Sequence, residues 1–206
     1  MMARRPRKMA GLAAVEFALL LPILMLLLVG VIDVARAVQA NMILINLSRE
    51  GANLAARGTL QLVDNSQAVI GSVAASAPPL DMNNRGMIYI TKVMGKTSGS
   101  TTRSVVLEQY RWDDSKNVRG YRVSGYAPGS KIWSCSNWAS GSDGTCVVPS
   151  GSNAPGVTLM SGSLADGEVI YVVESFYKFN MAFSGFKLGT LSLPTLGPDL
   201  YSMTVF

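Results

Sequence analysis

From Phe17 to Ile32 the chain carries no charged and no hydrogen-bonding side chain. A run of this kind restricts the backbone more than any other feature here. In lipid every peptide group must be satisfied within its own segment, so the run predicts a helix. Extended by Leu12–Val15 and Val34–Ala37, it reaches the length of about 20 residues that a bilayer span requires. From Glu16 to Asp33 a helix rises roughly 26 Å, close to the hydrocarbon thickness. Pro22 removes one backbone hydrogen bond from the span and is a candidate kink. Asp33 and Arg36 mark the outer interface, three residues apart and able to pair.

The flanks orient the span. Arg4, Arg5, Arg7 and Lys8 precede it with no opposing acid before Glu16, which predicts a cytoplasmic N-terminus and an exported C-terminal part. The net charge of +5 is mostly this leader, because four of those charges lie in residues 1–11 and about +1 remains. The basic balance therefore gives no reason to propose a nucleic acid partner. Glu16 is the odd residue. A carboxylate costs roughly 2.5 kcal/mol or more near the bilayer centre and less toward an interface, so its retention asks for a reason.

Three processing schemes compete. Cleavage after Gly11 leaves a chain that begins at Leu12 and keeps the span. A secretory signal cut near Ala35-Arg36-Ala37 or Ala40 releases the rest, although Glu16 sits inside the apolar region and that region is longer than usual. The third scheme is an uncleaved anchor.

Beyond the span, Ala40, Ile43, Leu44, Leu47, Gly51, Leu54 and Ala55 recur at helical spacing, with Gln39, Asn46, Ser48, Arg49 and Asn53 between them. Arg57 suits the negative helix end and Gly58 a C-cap. The helix is predicted from about residue 12 to 57, roughly 68 Å by rise per residue. A second helix fits Leu62 to Ser76 and stops at Pro78-Pro79. Strands are predicted at Met87–Val93, Arg103–Trp112, Glu168–Phe179 and Leu200–Phe206, with a further short one at Gly120–Tyr126. Asp113 to Asn117 reads as a polar, solvated turn. The segments between strands lack helical crossovers, so the sheet is expected to be mostly antiparallel, with one face on the outer half of the long helix. Residues 127–167 are rich in Gly, Ser and Pro; a connection this long is functional or mobile.

The fold class is thus α+β: a long N-terminal spine helix, a short second helix and a sheet of about four strands. The organisation is a leader at 1–11, a transmembrane segment at 12–38, an amphipathic continuation at 39–58 and an exported domain at 59–206, large enough for one core. Cys135 and Cys146 have no other partners, and in an oxidising periplasm they are expected to form a disulfide. A zinc site is disfavoured, with no histidine and no second cysteine pair.

Catalytic patterns are weak. Without histidine, Ser-His and Cys-His nucleophiles are excluded. Gly95-Lys96-Thr97 resembles the end of a phosphate-binding loop, but Ile90 stands where that loop needs glycine, so the segment reads as a hairpin turn. Asp64-Asn65-Ser66-Gln67-Ala68 fails the metal-dependent adhesion pattern at its last position. Glu108 and Glu174 lie in strand candidates; each serves as a general acid only if buried in a cleft, and an exposed strand face explains them more simply. Neither an enzymatic activity nor a cofactor is expected.

The segment Gly11-Leu12-Ala13-Ala14-Val15-Glu16-Phe17-Ala18-Leu19-Leu20-Leu21-Pro22 resembles the N-terminus of TadE-like (TadE/TadF) proteins, minor pseudopilins of bacterial tight-adherence (Tad/Flp) pilus systems. Asn46-Leu47-Ser48-Arg49-Glu50-Gly51-Ala52 resembles that family's continuation after the span. The resemblance implies prepilin peptidase cleavage between Gly11 and Leu12, with Glu16-Phe17 as the pair that sets assembly and register. It also implies an inner-membrane protein with a periplasmic domain that enters a pilus, and partners among major and minor pilins and the Tad assembly machinery. The implied role is initiation or capping of a type IVb/IVc-like pilus. Major Flp pilins are far shorter than this chain. Two other readings stay open: an anchored adhesive or binding module acting through residues 127–167, and an anchored enzyme.

Overall fold

The computed structural model describes residues 10–57, 62–140, 143–182, 187–188, 191–192 and 197–206. They fall into two compact units. One comprises Met1–Val38 with Asn180–Gly197, the other Gln39–Phe179 with Pro198–Phe206. Helix α1, Ala10–Ala56, contributes to both and runs through Pro22 without a break.

In the first unit the apolar side chains of α1 face outward: Val15, Leu19, Leu26 and Val31 are all exposed. Among the described residues, one helix is long and apolar enough to cross a membrane, and it is this one. Asp33 and Arg36 pair as expected, with Nη1 of Arg36 3.3 Å from Oδ1 of Asp33. Asp33 is nevertheless buried. Its carboxylate also accepts the backbone N–H of Ala182 at 2.8 Å.

The second unit is the α+β domain. Along the rest of α1, Ala40, Leu44, Leu47, Gly51, Ala52 and Ala55 are buried, close to the face read from spacing. Ser48 and Leu54 depart from it. Leu54 is exposed, and Ser48 is buried because its hydroxyl has partners, Ser202 Oγ at 2.8 Å and Thr204 Oγ1 at 3.1 Å. Gly58 lies outside the described residues. Helix α2, Leu62–Ala75, ends within a residue of the expected place, just before Pro78-Pro79. The short helix α3, Met82–Arg85, follows and leads directly into the sheet.

The four predicted strands are all present: β1 Gly86–Ser98, β2 Thr101–Arg111, β6 Val169–Lys178 and β9 Asp199–Val205. A fifth, β5 Gly156–Val157, comes from the Gly/Ser/Pro-rich region. All pairings are antiparallel, in the order β5-β2-β1-β6-β9. Smaller ladders join β3 Asp113–Asp114 to β4 Arg119–Gly120, and β7 Lys187–Leu188 to β8 Leu191–Ser192. The last of these belongs to the first unit.

Side chains alternate across a strand, so successive residues of β6 serve two different layers. Val173 and Ser175 face α1. Ser175 Oγ donates to the Leu44 carbonyl at 3.2 Å, and a Cβ on Gly51 would lie 3.0 Å from Val173 Cγ1. Val172, Glu174 and Phe176 face the other way. There Val172 joins Val93, Val106, Val157, Leu164 and Ile170 in a core that Ile132, Trp133, Val148 and Leu159 cover. Residues 127–167 are thus the second layer of the domain.

Three local expectations are corrected. Gly95-Lys96-Thr97 is inside β1, and the hairpin reverses at Gly99-Ser100, where Gly99 takes φ +65°. Gly95 is needed because Ala165 crosses it: a Cβ there would lie 2.2 Å from the Ala165 carbonyl oxygen. The strand expected at Gly120–Tyr126 is a helical turn, α4 Tyr121–Ser124, preceded by β4. Gly120 adopts φ +71°, which breaks an extended path, and a Cβ on it would meet Trp112. Asp113 and Asp114 are buried, not solvated, because each carboxylate has fixed partners.

Candidate functional site

Gly11 and Leu12 lie in the first turns of α1, and Glu16 follows one turn later on the same helix. Glu16 and Phe17 are both exposed. Arg4, Arg5, Arg7 and Lys8 lie outside the described residues. The helix presents an exposed carboxylate at the head of its apolar run.

A second constellation lies where residues 127–146 meet the end of β2. The Cys135–Cys146 disulfide forms, with Cα atoms 6.1 Å apart. Cys146 N–H donates to the Gln109 carbonyl and Arg111 N–H to that of Gly144, so the loop covers the edge of β2. Gln67 fastens it from α2, donating to the Asp143 carbonyl at 2.9 Å and to the Arg111 carbonyl at 2.8 Å. The guanidinium carbon of Arg111 lies 4.0 Å from the ring centroid of Tyr121 and 4.5 Å from that of Trp138. Such stacking suits the planar, weakly hydrated guanidinium. Arg111 also pairs with Asp113 at 2.9 Å, and Arg122 reaches Asp113 from the other side at 2.9 Å. A cavity of about 100 Å³ beside this stack is lined by Tyr89, Gln109, Arg111 and Trp138, among others. Burial pushes the Tyr89 hydroxyl up to about 12; Arg111 opposes the shift, and Glu174 and Tyr121 add to it.

The two glutamates named as possible acids have structural partners. Glu174 is fully buried, so the exposed-face reading of it is corrected. It accepts from Ser130 Oγ, from the Lys131 N–H at 2.8 Å and from the Tyr201 hydroxyl at 3.1 Å. Burial first, then the charge and hydrogen bond of Glu174, push the Tyr201 hydroxyl well above its ordinary value. Glu108 is partly buried, pairs with Lys92 at 3.1 Å and accepts from the Tyr110 hydroxyl at 2.9 Å.

Sequence reasoning missed the Arg111 stack and the contact of Asp33 with Ala182. The alternation Arg111-x-Asp113 puts both side chains on one side of the strand end, a signal for the first. For the second, the signal is the long low-charge stretch after Phe179.

No curated protein and no solved structure matches the chain. One family model does, over the helix that carries Glu16 and its continuation through Gly51. Residues 11–53 match the family model of TadE-like proteins.

Proposed function

We propose that this chain is a minor pseudopilin that takes part in assembling a tight-adherence pilus. The observation that carries the reading is Glu16, exposed on an apolar helix long enough to cross a membrane, within a TadE-like domain. Prepilin peptidase cuts between Gly11 and Leu12 on the cytoplasmic side. The cut frees an α-amine at Leu12 that can carry a positive charge. Glu16 of a neighbouring subunit neutralises it in lipid. Pairing lowers the cost of burying either charge and fixes the axial register between packed helices. Arg4, Arg5, Arg7 and Lys8 hold the precursor's leader on the cytoplasmic side. The α+β domain then stands in the periplasm and presents its surface to other pilins.

The first test is the N-terminal residue of the protein recovered from host membranes. Leu12 supports the proposal. Val38 or Asn41 overturns it in favour of a released domain, and Met1 in favour of an uncleaved anchor. The second test is Glu16→Ala. Pilus assembly should fail while membrane levels stay normal; intact assembly would defeat the register mechanism.

A second reading, an adhesive or binding module, is favoured by the Arg111–Trp138 stack beside the disulfide. Normal pilus assembly with lost surface attachment in Trp138→Ala would select it.

A further inference from the structure

We propose that β9 is the edge through which two copies of this chain pair, antiparallel about a two-fold axis at Met203. The five-stranded sheet ends at β9, which bonds to β6 along one side. Tyr171 and Phe206 exchange both backbone hydrogen bonds, each at 2.9 Å. Such pairs alternate along an antiparallel ladder, so Leu200, Ser202 and Thr204 also bond inward. The N–H and C=O groups of Tyr201, Met203 and Val205 therefore point away from the sheet, and among the described residues nothing bonds to them. The opposite edge is treated differently. β5 covers part of β2, and further on the Cys146 N–H reaches the Gln109 carbonyl and the Gly144 carbonyl accepts from Arg111. Open edges are usually blunted by charges, prolines or bulges. Residues 200–206 hold no charge and no proline, and their register with β6 runs without a shift.

The sequence of this edge selects a second copy as its occupant. Leu200-Tyr201-Ser202-Met203-Thr204-Val205-Phe206 is chemically complementary to its own reverse. With Met203 opposite its counterpart, Leu200 meets Phe206, Tyr201 meets Val205 and Ser202 meets Thr204. These are apolar, aromatic–β-branched and hydroxyl pairs, the kinds that stabilise adjoining strands. Backbone bonding permits the same register, because it sets the outward groups of 201, 203 and 205 against those of 205, 203 and 201. Met203, at the axis, is exposed. The charge nearest to it along the strand, Asp199, lies four residues away. Two such carboxylates are then roughly 27 Å apart and do not oppose pairing. A contact of one strand per copy is smaller than the interfaces of stable dimers, so pairing is weak in dilute solution and strengthened where the copies are confined to one bilayer. Pairing of this kind is independent of any role in a pilus.

Cysteine cross-linking tests this on the full chain, reconstituted in phosphatidylethanolamine–phosphatidylglycerol vesicles with the Cys135–Cys146 disulfide intact. Met203→Cys sets two thiols opposite each other across the axis, and Asp199→Cys sets them far apart on the same strand. Val118→Cys, on the exposed turn between β3 and β4, reports random collision. Under mild copper-phenanthroline oxidation Met203→Cys should form a covalent dimer about tenfold faster than either of the others, because distant thiols cannot be bridged. Equal rates at 203 and 118 overturn the pairing. Equal rates at 203 and 199 overturn its register and the proposal with it. Met203→Pro supplies a second arm. The domain does not use the Met203 N–H, so proline there leaves the β6 ladder whole and blocks an incoming strand. Sedimentation equilibrium of the full chain in detergent micelles, at rising protein-to-detergent ratio, should show a dimer that this variant shifts to monomer with an unchanged melting temperature. If the melting temperature falls, Met203→Lys takes its place and sets two like charges at the axis. A dimer that survives the substitution is held elsewhere and overturns the proposal. A wild type that stays monomeric throughout also overturns it, and leaves the edge to a strand of another protein.

Discussion

The ring of Trp138 lies 4.5 Å from the guanidinium carbon of Arg111. Trp138 belongs to the loop that the Cys135–Cys146 disulfide closes, the two cysteines standing 11 positions apart in sequence. A cation on a strand end is thereby capped by an aromatic whose position depends on a covalent closure.

Removing that closure with Cys135→Ser/Cys146→Ser should lower stability by roughly 3 kcal/mol, the chain-entropy value for a loop of this size. Chemical denaturation of the isolated 39–206 region, with and without reductant, measures it. The Arg111 stack should loosen in parallel, seen as a change in tryptophan fluorescence. An unchanged midpoint under reductant would show that the loop is held by its hydrogen bonds to Gln67, Gln109 and Arg111 alone.

The contact between α1 and the sheet has little spare room at Gly51, where a Cβ would sit 3.0 Å from Val173 Cγ1. Gly51→Leu should therefore destabilise by about 1–3 kcal/mol through overpacking, reduced by the roughly 1 kcal/mol that leaving glycine returns to a helix. Gly51→Ala asks Val173 to move only slightly, and its effect should be small. Urea midpoints for the two variants separate steric from propensity effects. A stabilised Gly51→Leu would mean the helix can slide on the sheet.

The outline of this fold is legible from the chain, and the reason is local. Apolar spacing along Ala40, Leu44, Leu47 and Ala55 is enforced by the helix's own period, and the Val- and Tyr-rich runs declare β1, β2, β6 and β9. What escaped was set by distant partners. Ser48 is polar yet buried, because Ser202 and Thr204 arrive from the far end of the chain. Gly95 looks like a turn residue, but it is kept small by the crossing of Ala165. Glu174 looks like an exposed strand acid until Ser130 and Lys131 close over it. Of the candidate site, Glu16 could be read from its odd place in an apolar run, and the Asp33–Arg36 pair from helical spacing. The Arg111 stack depends on a long irregular segment, and residue type alone does not place such a segment.

Glu174 should be among the costliest single losses in the domain. Glu174→Ala strips an acceptor from Ser130, Lys131 and Tyr201 and leaves a void at a fully buried position. The buried Ser130 hydroxyl left unsatisfied costs about 1–3 kcal/mol, the part-buried Lys131 N–H and Tyr201 hydroxyl less, and the void adds to this, so a loss of several kcal/mol is expected. Glu174→Gln keeps the shape and one carbonyl acceptor and should recover part of it. Thermal melts of both variants check the ranking. Equal stability of Glu174→Ala and wild type would mean the three donors find water instead.

Stability should fall at both ends of the pH scale, for different residues. Burial works against ionised Asp114, but hydrogen bonds from the side chain and backbone of Asn117 and the backbone of Lys116, with the charge of Arg119, hold its pKa below the ordinary 3.8. A depressed folded value means its contribution is present above about pH 3.9 and is lost as pH falls through the folded pKa. Asp114→Asn should flatten the acid side of the stability curve. Tyr89 is shifted the other way, to about 12 from 10.0. Its contribution is complete below pH 10 and disappears as pH rises through about 12, because the unfolded chain loses the proton first. Tyr89→Phe should therefore make the loss of stability between these values less steep, while costing about 1 kcal/mol at neutral pH for the hydrogen bond from its hydroxyl to the Pro128 carbonyl. Denaturant midpoints across the alkaline range, compared between wild type and variant, carry the test. An identical alkaline slope would show that the Tyr89 hydroxyl reaches solvent before the domain unfolds.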